Sequence, residues 1–151
     1  MDRKAVAVIG GAVVDVLVTP AGPEVFQSGS YPAENIKMTF GGDALNEATV
    51  LSALGKKIYL HTVLGTDPQG DMIREHCRKH GIRLSGACSK EGTPTGINVV
   101  LVQENGERNF LTNRNGTLRK LGPEMCIRDR DGDTFFREDG RFSAGYFCRA
   151  E

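Results

Sequence analysis

The sequence predicts an α/β fold with a largely parallel sheet. Three observations carry that prediction. The run "KAVAVIGG" (4–11) is short, apolar and rich in β-formers, and it ends in glycines, as suits a central strand buried on both faces. From Asp43 to Leu54, the apolar residues Ala44, Leu45, Ala48, Leu51 and Leu54 recur at helical spacing. Strand-like and helix-like segments then alternate, the order that builds a parallel sheet with crossover helices.

Each further element has its own signal. "VVDVLVTPAG" continues extended and turns at Pro20 to Gly22. "ENIKMTF" (34–40) alternates polar and apolar residues like a half-exposed strand. The helix opening at Asp43 finds its stop at Gly55. "KKIYLHTVLG" reads as another strand. "DPQGDMIREHCRKHG" reads as a helix with an acidic start, a basic end and Gly81 as its stop. "GINVVLVQENGERNFLTN" reads as a hairpin turning at "ENGE". The hairpin and the "ENIKMTF" strand stand as additions outside the α/β core.

A chain of 151 residues is long enough for one domain with a real core. Its formal net charge of zero gives nucleic acid or an anionic membrane nothing to attract. No apolar run reaches the length of a membrane span. The N-terminus is basic and then apolar, but Asp15 interrupts the apolar run and no small-residue cleavage site follows. It therefore reads as a buried strand region, and the expected setting is cytoplasmic. Cys77, Cys88, Cys126 and Cys148 form no C-x-x-C pair, so zinc and redox motifs find no support and separate reduced thiols are expected.

The stretch "FGGDALNEATVLSALGKK" (40–57) carries the chemistry. Gly41 and Gly42 precede a helix start, where glycine lets the backbone approach a ligand. The first N–H groups of that helix have no intrahelical partner and can meet a hydroxyl or an anion. Asn46, in the first turn, offers both donor and acceptor atoms, as a sugar hydroxyl requires. Asp15, just after the first strand, offers an acceptor-only carboxylate, and strand C-termini are where open α/β sheets bind ligands. The same residues also allow a plain arrangement, with Asp43 as a cap, the glycines as a tight turn and Asn46 as a solvated amide.

The spacing adds more. Gly41, Gly42, Asn46, Ala48, Gly55 and Gly65 resemble the first signature of the ribokinase-like (PfkB) carbohydrate kinases. "VIGGAVVD" is similar to that family's opening strand and aspartate, "VLGTDPQGDMI" to its "VGxDxxGxxI" segment, and "TPTGINVVLVQENGERNF" to its "TG" strand and lid hairpin. Together these cover residues 4 to 120 in family order. The resemblance implies a Rossmann-type, largely parallel sheet flanked by helices, with a small β-lid. It implies that a sugar lies between core and lid, that Gly41 and Gly42 are the lid hinge and close-approach point, and that Asp15 and Asn46 bind its hydroxyls. Asp43 and Asn98 match positions that vary with substrate in the family. It further implies ATP and Mg²⁺ as cofactors and a homodimer through the lid.

The family's second signature, an Asp-Thr-x-Gly-Ala-Gly-Asp run, is missing. In the family it supplies the N–H groups that stabilise the transferring phosphoryl and the aspartate that acts as base, so no catalytic residue is assigned here. "DGDT" (131–134) has the wrong order, and no Walker-type run occurs. The fold is thus expected to be incomplete, with residues 1–122 as the N-terminal, substrate-binding part of a kinase domain that is inactive alone. Neither ATP nor Mg²⁺ is expected to bind this part well. A non-catalytic sugar-binding module is the alternative. A dinucleotide-binding Rossmann domain is disfavoured because "VIGGAVVD" lacks the G-x-G-x-x-G spacing.

Residue usage changes sharply near residue 123. All seven lysines lie at or before Lys120, whereas residues 124–151 hold five arginines and five of the ten aromatics, without valine or leucine. "EMCIRDR" (124–130) resembles the translation of a transposase mosaic-end adapter used in preparing sequencing libraries. On that reading residues 123–151 are artefactual, and weak order is expected after residue 122. "DRDGDTFFREDG" starts like a calcium loop, but Thr134 and Gly140 replace the glycine and glutamate it needs. His61 is expected to be a packed or edge residue. His76 and His80, spaced i, i+4, lack a third ligand nearby and read as a solvated basic face.

Overall fold

A computed structural model of the chain describes residues 5–84, 91–119 and 148–149. The described residues form two four-stranded sheets. The first holds β1 (Ala5–Ile9), β4 (Lys57–His61), β5 (Arg83–Leu84) and β8 (Cys148–Arg149), in the order β5-β4-β1-β8. β1, β4 and β5 run parallel, and β8 pairs antiparallel to β1. The second holds β2 (Val13–Thr19), β3 (Asn35–Gly41), β6 (Gly96–Val102) and β7 (Arg108–Thr112), in the order β3-β2-β6-β7. There β2 and β6 are parallel, while β3 and β7 are antiparallel to their neighbours.

Two helices complete the core: α1 (Asp43–Ala53) and α2 (Pro68–Lys79). Alternation in the strands turns Val6, Val8, Ile58 and Leu60 to one face, where they meet Ala44, Leu45 and Ala48 of α1 and Ile73 and Cys77 of α2. Leu45, Ile58, Leu60 and Ile73 are fully buried, each contributing about 2 kcal/mol of transfer free energy. Gly55 and Gly81 end the two helices, both at positive φ, as the sequence suggests.

One strand differs from expectation. "VVDVLVT" continues extended from the first strand, but it belongs to the other sheet. The chain turns away after Ile9, and β2 then pairs with β3 on one edge and β6 on the other. The additions outside the core thus include β2 and form a complete small sheet. Its two faces differ. Val14 and Phe40 join the core cluster on one face, whereas the row Thr39, Asp15, Asn98 and Thr112 lies on the other, these residues being direct cross-strand partners.

Asp67 ties the two layers together. It caps α2, accepting from the Gly70 N–H at 2.9 Å, with Pro68 at the first helical position. The same carboxylate accepts from the Thr95 N–H at 2.7 Å and from the Thr95 hydroxyl, just before β6. Thr95 Oγ1 in turn accepts from the Gly65 N–H at 2.9 Å. Asn113 pins the far end of the hairpin, accepting from the Ile97 N–H and donating to the Thr95 carbonyl, both at 3.0 Å.

The histidines also differ from a solvated face. His76 is half-buried, its ring 4.3 Å from Phe40 and 4.2 Å from His80. Its Nε2 lies 3.0 Å from Thr49 Oγ1, whose proton is given to the Leu45 carbonyl, so Nε2 is the donor. Burial, with His80 and Lys79 adding, holds His76 below the ordinary histidine range. His61 ends β4, half-buried, and its carbonyl accepts from the Gly10 N–H. Cys77 is buried in the core cluster. Cys88, Cys126, the calcium-like loop and the rest of the expected weakly ordered tail, apart from Cys148–Arg149, lie outside the described residues.

Burial opposes the charged form of Asp67, but the bonds from Thr95 and Gly70 outweigh it and hold its carboxyl below the ordinary aspartate range. The stability this adds is present above the unfolded-state pKa and is lost as pH falls through the folded-state value. Asp67→Ala should cost about 2 kcal/mol in urea unfolding at pH 7. Asp67→Asn should also flatten the loss of stability below about pH 4. An unchanged acid limb in Asp67→Asn would contradict this assignment.

Candidate functional site

The site lies where the small sheet runs into α1. β3 ends at Gly41, paired with Val13 at the start of β2. Gly42 follows as the N-cap of α1, with φ +91° and no side chain to cap the helix. Asp43, proposed from sequence as a possible cap, is instead the first helical residue and is exposed. A Cβ on Gly42 would lie 2.3 Å from the Gly11 carbonyl oxygen, and one on Gly41 would lie 2.1 Å from Asp15 Oδ2. Gly42 is therefore required by close approach to backbone and by conformation, whereas a side chain at Gly41 would displace the Asp15 carboxylate.

Asp15 is half-buried in the middle of β2. Its Oδ1 accepts from Asn98 Nδ2 at 2.9 Å, and Asn98 Oδ1 accepts from Thr112 Oγ1 at 2.7 Å. The structure thus brings together Asp15, Gly41 and Asn98, with Gly42 adjoining. Asp43 and Asn46 stand exposed in the first turn of α1, and neither is hydrogen-bonded to that group among the described residues. The Asn46 N–H closes the first helical bond to the Gly42 carbonyl at 3.1 Å.

Two groups were missed from sequence. Thr112 carried no signal beyond its place in the hairpin. Asp67 and Thr95 lie within motif-like segments, but nothing in one chain shows that segments 28 residues apart share a carboxylate.

The arrangement offers an acceptor-only carboxylate, an amide and a helix start without a side-chain cap at one junction, a set suited to a polyhydroxylated ligand. Among the described residues no group of three or more His, Cys, Asp and Glu side chains could hold a metal ion. No helix among the described residues is long and apolar enough to cross a membrane.

Comparison with known proteins identifies the family. The family model described as pfkB family carbohydrate kinase matches residues 3–131. The chain belongs to the pfkB family of carbohydrate kinases. It is 35% identical over 100 residues to the acarbose 7(IV)-phosphotransferase of Actinoplanes sp., covering 66% of this chain and 33% of that one. It is 30% identical over 105 residues to the uncharacterized sugar kinase YeiI of Escherichia coli, covering 70% and 29%. The fructokinase structure from Halothermothrix orenii superposes with a TM-score of 0.64 at 26% identity, over 75% of this chain and 38% of that one. The chain therefore spans about a third of the length of these curated relatives, 29% and 33%. The fold is ribokinase-like, α/β and incomplete, as the sequence predicts.

Gly42→Ala should destabilise the chain by about 1 kcal/mol more than Gly81→Ala, because φ is positive at both but only Gly42 meets backbone. Equal losses in urea unfolding would mean that the contact with Gly11 is unimportant.

Proposed function

We propose that this chain is the sugar-holding part of a kinase that, at full length, uses ATP and Mg²⁺ to phosphorylate a sugar hydroxyl. The observation that carries the reading is the Asp15 carboxylate, with Oδ1 occupied by Asn98 and Oδ2 set against the bare backbone of Gly41. Asp15 accepts from sugar hydroxyls, Gly41 and Gly42 let the ring come close, and Asn46 donates and accepts. Asp43 and Asn98 tune which sugar fits. The chain alone binds without turnover, because the base and the anion-binding turn are absent from its sequence.

The kinase part is residues 1–122, and residues 123–151 are foreign to it. Its setting is cytoplasmic. The assembled protein is a homodimer through the small sheet, a reading supported by Ile36, Met38 and Leu111, which stand 65%, 50% and 51% exposed on the face opposite the polar row.

Isothermal titration with D-fructose and D-ribose should give saturable binding to at least one of them. Asp15→Ala should weaken that binding about tenfold or more, as loss of a charge-assisted hydrogen bond does. No ADP should form when ATP and Mg²⁺ are added. Equal affinity in Asp15→Ala, or ATP-dependent sugar phosphorylation by the chain, would contradict the reading.

A further inference from the structure

We propose that Thr112 is a positioning residue for the sugar site, holding the Asn98 amide so that Asp15 keeps one oxygen committed and the other free. The inference rests on the reading of Asp15 as a sugar-binding group.

Asp15, Asn98 and Thr112 are successive cross-strand partners on β2, β6 and β7, so their side chains share one face of the sheet. An ionised carboxylate only accepts hydrogen bonds, so the Asn98 atom facing it is Nδ2, at 2.9 Å from Oδ1. That turns Asn98 Oδ1 toward β7, where it needs a donor. Thr112 Oγ1 supplies one at 2.7 Å. A hydroxyl has a single proton, so the chain of donation runs one way, from Thr112 to Asn98 to Asp15. All three residues are half-buried, where a fixed bond is stronger than in bulk water.

The relay matters because of what lies beyond Asp15. Its second oxygen points where a Cβ on Gly41 would sit, 2.1 Å away. With Oδ1 anchored, the carboxylate plane is fixed and Oδ2 is the oxygen left for a ligand hydroxyl. Without Thr112, Asn98 keeps one anchor, its amide can rotate, and the carboxylate loses its preset orientation. Affinity then falls through lost preorganisation, with no ligand contact removed. The pairing of β7 with β6 does not depend on this hydroxyl, since the ladder bonds are backbone to backbone.

The test uses the full chain with Thr112→Val, which keeps the side-chain shape, and Thr112→Ser, which keeps the hydroxyl. Solvent exchange of the Asn98 Nδ2 protons is followed by NMR, and D-fructose and D-ribose affinity by calorimetry. Thr112→Val should speed the exchange and weaken sugar binding, each about tenfold, while Thr112→Ser keeps both within about twofold of the parent chain. Parent-like exchange and affinity in Thr112→Val would overturn the proposal. If the parent chain binds neither sugar, the binding reading fails, and exchange alone decides the relay. Protected amides in the parent and Thr112→Ser with a fast-exchanging one in Thr112→Val would uphold it, and equal exchange in all three would overturn it.

Discussion

The missing side chains at Gly41 and Gly42 are the constraint on which the rest of this structure depends. A Cβ at either position would collide, with the Asp15 carboxylate in one case and the Gly11 carbonyl in the other. Because neither is there, β3 passes directly into α1, and the small sheet sits close against the end of the parallel core. The same closeness puts a carboxylate and a helix start without a side-chain cap at one junction. The geometry that lets the chain pack and the geometry that suits a polyhydroxylated ligand therefore have one cause.

A second junction holds the same end of the sheet, where Gly96 at the start of β6 pairs with Val13 at the start of β2. Asp67 caps α2 and grips Thr95 at the entrance to β6, while Thr117 accepts from the Gly96 N–H one residue later. β6, which carries Asn98, is thus fastened near its first residue, and β2, which carries Asp15, pairs alongside it from Val13 onward. Side chains halfway along such strands inherit positions fixed by the backbone, which is the condition for a preset binding group. The hairpin beyond them is held chiefly by its own ladder and by Asn113.

Much of this was legible in the sequence. Helical spacing of Ala44, Leu45 and Ala48 marked the buried face of α1, and "ENGE" marked the hairpin turn, because both signals are local. Asp15, Gly41 and Gly42 were singled out through residue chemistry and spacing, but Asp15 lies inside β2 rather than just beyond the end of the first strand. The sheet to which β2 belongs was not legible, since an extended run carries no record of its partners. Nor was the Asp67–Thr95 bond, which depends on how the α2 cap packs against the start of β6, or the place of Thr112 opposite Asn98, which depends on strand register; both are long-range properties. His76 was misjudged for a related reason. Its i, i+4 spacing from His80 is a helix-surface pattern, but Phe40 arrives from β3 and covers it.

The central claim is that sugar binds at the junction of β2, β3 and α1. Its most direct test is a two-dimensional amide NMR titration of the chain with D-fructose and D-ribose. The account predicts that at least one of them shifts the signals of Asp15, Gly41, Gly42, Asn46 and Asn98 together, with a single saturation curve. Shifts confined to other surfaces, or none at millimolar concentrations of either sugar, would contradict it.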